Sequence, residues 1–185
     1  MPIPDFDHNN VLPPHLGNPA NPSHVSPYEC TSIEFCLRFS TSPSRVILLK
    51  NFIQFRSKIR EMGLNYGYQW LDGSFLEDIE NSENRSPNDI DVVTFFGGAS
   101  MEMLENVNSK FPEFFNPNLS KSNYKMDHYA VQVDYNPFFT VESARYWIQL
   151  FTHKRNGVWK GMVKIPLNSV NEDEEALNYL NTLTL

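Results

Sequence analysis

Cysteine is scarce: Cys30 and Cys36 are the only two in 185 residues. Their spacing makes neither a zinc knuckle nor a redox CxxC pair, so two buried thiols are expected. The five histidines are scattered, with no HExxH and no paired ligand spacing, which argues against a zinc enzyme. No apolar run approaches the roughly 18–20 residues needed to cross a bilayer. The opening residues Met1-Pro2-Ile3-Pro4-Asp5 lack the cationic start and the apolar stretch of a signal peptide. A cytoplasmic protein without a membrane partner is therefore expected. Positive charge is also short, at 15 basic against 22 acidic residues and a formal net charge of -7. Non-specific nucleic-acid coating rests on many Lys/Arg–phosphate contacts, so this balance argues against it and leaves room only for a local basic groove.

What is present is enough apolar material for a real core. Hydrophobic residues make up 41% and charged residues 20%, which fits one globular domain with an appended arm. Seven of the thirteen prolines fall in residues 1–28. Proline fixes φ and lacks an N–H donor, so this stretch reads as an extended arm. Its apolar teeth, Ile3, Phe6, Val11, Leu12 and Leu16, predict that it lies along the domain formed by residues 29–185.

Local signals then alternate. Thr31-Ser32-Ile33-Glu34 has capping-box spacing and predicts a short helix to about Phe39. Ser42-Pro43 restarts the chain as N-cap and first helical residue. Leu48, Phe52, Phe55, Ile59 and Met62 form one face of a long amphipathic helix ending near Gly63. Tyr68 to Asp72 reads as a strand, Glu77 to Asn88 as a polar acidic segment, and Asp89 to Phe96 as a second strand. Glu77, Asp78, Glu80 and Glu83 are expected to be a solvated loop. Ser100 can cap a helix carrying Met103, Leu104, Val107 and Phe111. Tyr124 to Tyr135 reads as a third strand with Met126, His128, Ala130 and Gln132 on one face. Thr140 can cap the next helix, Asn156-Gly157 marks a turn, and Met162, Val163 and Ile165 mark a last strand. Residues 172–183 close the chain as an acidic amphipathic helix. Together these predict an α/β (α+β) domain: a small mixed sheet flanked by helices.

The chemistry concentrates in Leu71-Asp72-Gly73-Ser74 followed by Asp89-Ile90-Asp91-Val92. Glycine lets the backbone approach a bound group, and successive N–H donors with a serine hydroxyl can hold a phosphate. Residues two apart on a strand share a face, so Asp89 and Asp91 present two carboxylates side by side. Such carboxylates repel unless a cation lies between them. Hard oxygen ligands with open positions suit Mg²⁺, with Mn²⁺ the alternative ion. A phosphate cradle with Mg²⁺ carboxylates is the equipment of phosphoryl or nucleotidyl transfer.

The pair GS…DxD resembles the signature of the DNA polymerase β-like nucleotidyltransferase superfamily. The whole chain, over residues 5–165, looks like the small bacterial proteins of the DUF6932 type. That likeness runs through Ser26-Pro27-Tyr28-Glu29, Thr41-Ser42-Pro43, Gln69 to Phe75, Pro87 to Phe96 and Tyr146-Trp147 to Gly161. The resemblance implies a polymerase β-like minimal fold and a third carboxylate on a later strand. Asp127 and Asp134 are the two candidates. A helix between the second and third strands suits a parallel crossover, which would put strand starts at one edge and favours Asp127.

Residues 145–164 hold Arg145, Lys154, Arg155, Lys160 and Lys164 and no acid. Tyr146, Trp147, Phe151 and Trp159 interleave with them, a mixture that holds triphosphate or stacks bases when it is not simply core and solvated face. Arg155 is the best triphosphate candidate.

The resulting expectation is a Mg²⁺-dependent enzyme that moves a nucleoside monophosphate from an NTP, such as ATP, to an acceptor. Asp89, Asp91 and Asp127 would hold a two-metal site, Asp127 would also help deprotonate the acceptor, and Gly73, Ser74 and Arg155 would bind the nucleotide. By resemblance, the acceptor is an RNA end, a protein or a nucleotide, and toxin–antitoxin or antiphage defence is the setting, with a partner protein left open. The competing expectation is a non-catalytic module of the same fold that binds a nucleotide, nucleic acid or protein.

Overall fold

The computed structural model describes residues 3–183. Pro2, one of the arm prolines, lies outside them. The arm packs as the apolar teeth require: Ile3, Val11 and Leu12 are buried, while Leu16 stays exposed. Val11 bridges to Glu77, and the Tyr28 hydroxyl donates to the Pro13 carbonyl at 2.6 Å. The arm does not run to residue 28 as a simple extension. Tyr28–Glu29 is a short strand, β1, that pairs parallel with β5 (Val163–Pro166).

Two helices follow. In α1 (Ser32–Phe39) the capping box forms, with Thr31 and Glu34 exchanging bonds. In α2 (Pro43–Glu61) the Ser42 side chain accepts from the Arg45 amide. Strand β2 (Gly67–Asp72) pairs antiparallel with β3 (Ile90–Phe96) and with β5. A helical turn, Ser74–Leu76, and a short helix α3 (Ile79–Ser82) interrupt the segment between them.

The expected solvated loop at 77–83 is therefore corrected. Glu77 is buried, its carboxylate held by Lys160 at 2.7 Å and Lys154 at 2.9 Å. Glu80 pairs with the buried Arg45, which also donates to the carbonyls of Phe75 and Glu77. A buried guanidinium needs such partners, and the acidic segment supplies them. Glu83 alone of these glutamates is exposed.

From β3 the chain passes through α4 (Met101–Lys110), capped by Ser100 as expected, and then through α5 (Pro117–Tyr124) to β4 (Met126–Gln132). Helix α5 is not among the expected elements, and Tyr124 ends it rather than opening the strand. Its start, Asn116-Pro117, uses the logic of Ser42-Pro43: a side-chain cap followed by proline at the first helical position. The same device opens α6 (Pro137–Phe151), where Asn136 accepts from the amides of Phe138 and Phe139. Asn136, not Thr140, is thus the cap. The last helix is α7 (Val170–Thr182).

The sheet is five-stranded, in the order β1-β5-β2-β3-β4, with β3 and β4 parallel. Period-two alternation divides its side chains. Leu71, Ile90, Val92, Met126, Val163 and Ile165 join the main core with helices α1, α2 and α7. Trp70, Val93, Phe95 and Val131 face the other way, onto Trp147 and Phe151 of α6. Asp72, Asp91 and Asp127 lie in phase with this second set, so the carboxylates belong to the α6 side. Cys30 and Cys36 are free and buried, as expected, and burial raises both thiol pKa values. Among the described residues no helix is long and apolar enough to cross a membrane.

Candidate functional site

Sheet register builds the site. Asp72 lies opposite Asp91 across the antiparallel β2–β3 pair, and Asp91 lies opposite Asp127 across the parallel β3–β4 pair. Register partners on neighbouring strands share a face, so three carboxylates stand in one row across three strands. Asp89 sits just before β3. Gly73 and Ser74 continue from Asp72 into a tight turn. Gly73 has φ +83°, and a Cβ there would lie 2.6 Å from Asp91 Oδ2. The turn backbone therefore touches the carboxylate row, and only glycine permits that approach.

These residues line one cleft of about 720 Å³. The carboxylate row lines it together with the aromatic Tyr129, Tyr146 and Trp147 and the basic Lys154, Arg155 and Lys160. Tyr129 packs on Trp147 with ring centroids 4.9 Å apart. A smaller cavity of about 280 Å³ lies between α2 and α7, and its Arg60 and Asp173 pair with each other at 3.3 Å.

Two lysines flank the row. Lys160 is buried, with Nζ 3.1 Å from Asp72 Oδ1, 2.7 Å from Glu77 Oε1 and 3.5 Å from the Gly73 carbonyl. Lys121, from α5, reaches Asp89 Oδ2 at 2.9 Å and Asp127 Oδ2 at 3.4 Å. Crowding shows in the proton affinities. Burial first, then the charges of Asp89 and Asp127, pushes Asp91 up to about 6. Burial lifts Asp72 to about 7 against the pull of Lys160. Burial would pull the Lys160 ammonium down, but Asp72 and Glu77 hold it above its ordinary value. Glu77 keeps its charge: burial opposes ionisation, yet Lys160 and Lys154 together bring its pKa below the usual range.

The expected site residues fall as follows. Asp89, Asp91, Asp127, Gly73 and Ser74 meet at this cleft. Asp91 is half-buried at the cleft. Asp134 lies past the opposite end of β4, where its Oδ2 accepts from the Gly98 amide at 2.7 Å. Arg155 is exposed at the cleft rim, on a hairpin closed by the His153–Trp159 bridge, and makes no ion pair among the described residues. The other cations of the 145–164 segment are engaged: Arg145 with Glu142, Lys154 and Lys160 with Glu77, and Lys164 with Glu29. Of its aromatics, Trp147 and Phe151 are buried, and Tyr146 and Trp159 are half exposed.

Sequence reasoning did not place Asp72 or Lys121 in the site, and it named Lys160 only as one cation of the basic 145–164 segment. Asp72 was legible in principle, two residues beyond Trp70 and at the end of a strand adjoining the Asp-x-Asp strand. Lys121 carried no such signal, and although Lys160 lies in the basic 145–164 segment, nothing local marks which of its lysines the fold buries.

Donor chemistry at the cleft fits a hard divalent cation: several carboxylate oxygens, mutual repulsion, and an ammonium already seated between two of them. As the side chains stand, no three His, Cys, Asp or Glu residues among those described converge on a common point.

No curated protein and no solved structure matches this chain. A family model does match, over residues 4–166, and its description is a family of unknown function (DUF6932). That segment contains the Gly-Ser turn, the carboxylate row, Lys121 and the Arg155 hairpin, and since it spans most of the sequence, the chain belongs to the DUF6932 family.

Proposed function

We propose that this protein is a Mg²⁺-dependent nucleotidyltransferase that moves a nucleoside monophosphate from an NTP to an acceptor and releases pyrophosphate. The observation that carries the reading is the meeting of Asp89, Asp91 and Asp127 with the Gly73-Ser74 turn in one cleft, through the Asp91–Asp127 register of parallel strands. Bound divalent metal would supply charge neutralisation of the phosphates and activation of the attacking oxygen. Asp89, Asp91 and Asp127 would hold it. Ser74 and the backbone donors of its turn would bind the β- and γ-phosphates, and Arg155 would add a charge-assisted contact from the rim. Asp127, at the start of β4, would accept the acceptor's proton. The half-exposed Tyr146 offers a flat apolar wall to a base.

The resemblance to the polymerase β-like superfamily supports the same reading and leaves the acceptor among RNA ends, proteins and nucleotides. A second reading, a module of this fold that binds nucleotide without transfer, draws on the Lys121 ammonium seated against Asp89 and Asp127.

Incubation with labelled NTPs and Mg²⁺, with and without total RNA, separates the two. Transfer is expected to appear on one acceptor class and to fall by roughly 10³-fold or more in Asp91→Ala, the scale of losing a ligand charge from a divalent site. NTP binding without transfer under all conditions would establish the binding module, and transfer unaffected by Asp91→Ala would remove this cleft as the active site.

A further inference from the structure

Lys121 lies on α5, four positions before Lys125, whose left-handed backbone ends the helix. Its ammonium is the cation between Asp89, which precedes β3, and Asp127, in the second position of β4. The side chain is about half exposed, at 53%. It borders the 720 Å³ cleft, and half-exposed ion pairs of this kind are weak. Yet the two oxygens it bridges are ones the proposed chemistry requires, and no three carboxylates converge while it sits there. A divalent ion brings twice the charge to the same oxygens at shorter range.

We propose that Lys121 is a place-holding cation: its ammonium screens Asp89 and Asp127 when the cleft is empty, and a divalent metal binds by displacing it. This rests on the metal-site reading above. The arrangement keeps like charges from facing one another unscreened and lets the strands carrying them stay paired. It also makes metal affinity a competition, set by how readily one side chain swings away.

The test is Mn²⁺ titration of the full chain, read by the electron paramagnetic resonance signal of the free ion, for wild type, Lys121→Met, Lys121→Arg and Asp91→Asn. Removing the competitor is expected to tighten Mn²⁺ binding about five-fold or more, the scale of two weak ion pairs. Mn²⁺ should then raise the melting temperature of Lys121→Met by more than it raises that of wild type. Lys121→Arg keeps the charge and is expected to stay near wild type, which guards against a packing effect of methionine. Asp91→Asn should lose most of the binding. Unchanged or weaker Mn²⁺ binding in Lys121→Met, with the loss in Asp91→Asn intact, would overturn the place-holder and leave the metal site standing. Absence of Mn²⁺ binding in both wild type and Lys121→Met would overturn the place-holder and the metal site together.

Discussion

His128 lies one residue beyond Asp127 but on the opposite face of β4. Its ring sits among Phe55 and Phe114, with centroids 4.6 and 5.2 Å away. A buried chain of bonds reaches it: Arg56 donates to Gln69 Oε1 at 2.7 Å, Gln69 donates to Thr94 Oγ1 at 3.0 Å, and Thr94 lies 2.8 Å from His128 Nε2. The ring is fully enclosed, which favours the neutral imidazole. Burial accordingly pushes its pKa down to about 3. The unfolded chain takes up a proton near its ordinary value of about 6.5 that the folded chain refuses. Stability from this group is therefore complete above about pH 6.5 and is lost as pH falls toward 3, at up to about 1.4 kcal/mol per pH unit. Urea unfolding of wild type and His128→Gln across this range is expected to give a shallower pH dependence for the variant. Identical curves would mean that the ring carries its charge in the folded state. The neighbouring Asp127 is tested by contrast: Asp127→Asn should lose transfer on the scale of Asp91→Ala, whereas Asp134→Asn should transfer near the wild-type rate. Equal loss in both would mean a general fold defect.

Among the elements, the turn after β2 and the 153–159 hairpin make opposite demands. At Gly73 a side chain would need both a left-handed backbone and the space occupied by Asp91. Gly73→Ala is expected to cost about 1–3 kcal/mol in urea unfolding and to abolish transfer, because the strain is relieved by moving the carboxylate. Unchanged stability would show that the turn relaxes without it. Arg155 is free at the rim, so Arg155→Ala should leave stability alone. If it contacts the triphosphate, the variant should lose about 1.5–3 kcal/mol in kcat/KM for NTP. If it contacts a nucleic-acid acceptor, NTP kinetics should stay constant and the salt dependence of acceptor binding should become shallower by about one unit of slope. No change in either would make the hairpin a solvated face. These elements also differ in how they were announced. The Thr31, Ser42 and Ser100 caps were legible because each stands just before a helix-forming run, Thr31 with Glu34 three residues on and Ser42 with Pro43 beside it. Asn116-Pro117 and Asn136-Pro137 carried the same signal as Ser42-Pro43, but the first lies between an expected helix and the expected third strand, and Thr140 stands as a competing cap beside the second.

For the molecule as a whole, the segment beyond the family match is structural. Asp173 of α7 pairs with the buried Arg56 at 2.9 Å, and Arg56 also reaches the Pro166 carbonyl and the Ser169 hydroxyl. Ala176 and Leu180 close the core beside it. A chain ending at Pro166 would leave that guanidinium buried without its carboxylate, at a cost of about 3–5 kcal/mol before the lost apolar burial is counted. Such a chain is expected to lose its cooperative thermal transition, and a native-like transition would show α7 to be dispensable. The sequence by itself determined the helix starts at Thr31, Ser42 and Ser100, the strands around Trp70, Val93 and Ile165, and the pairing of a Gly-Ser turn with Asp89 and Asp91, because caps, period-two alternation and turn chemistry act over a few residues. The intervening helix already suggested the parallel crossover that favours Asp127; tertiary structure alone decided the register setting Asp127 against Asp91, that Asp72 completes the row, that Glu77 is buried rather than solvated, and that Lys121 and Lys160 flank the carboxylates. Those outcomes depend on which strands become neighbours and on where buried charges find partners. Both are settled by contacts between residues far apart in the chain, which no local pattern encodes.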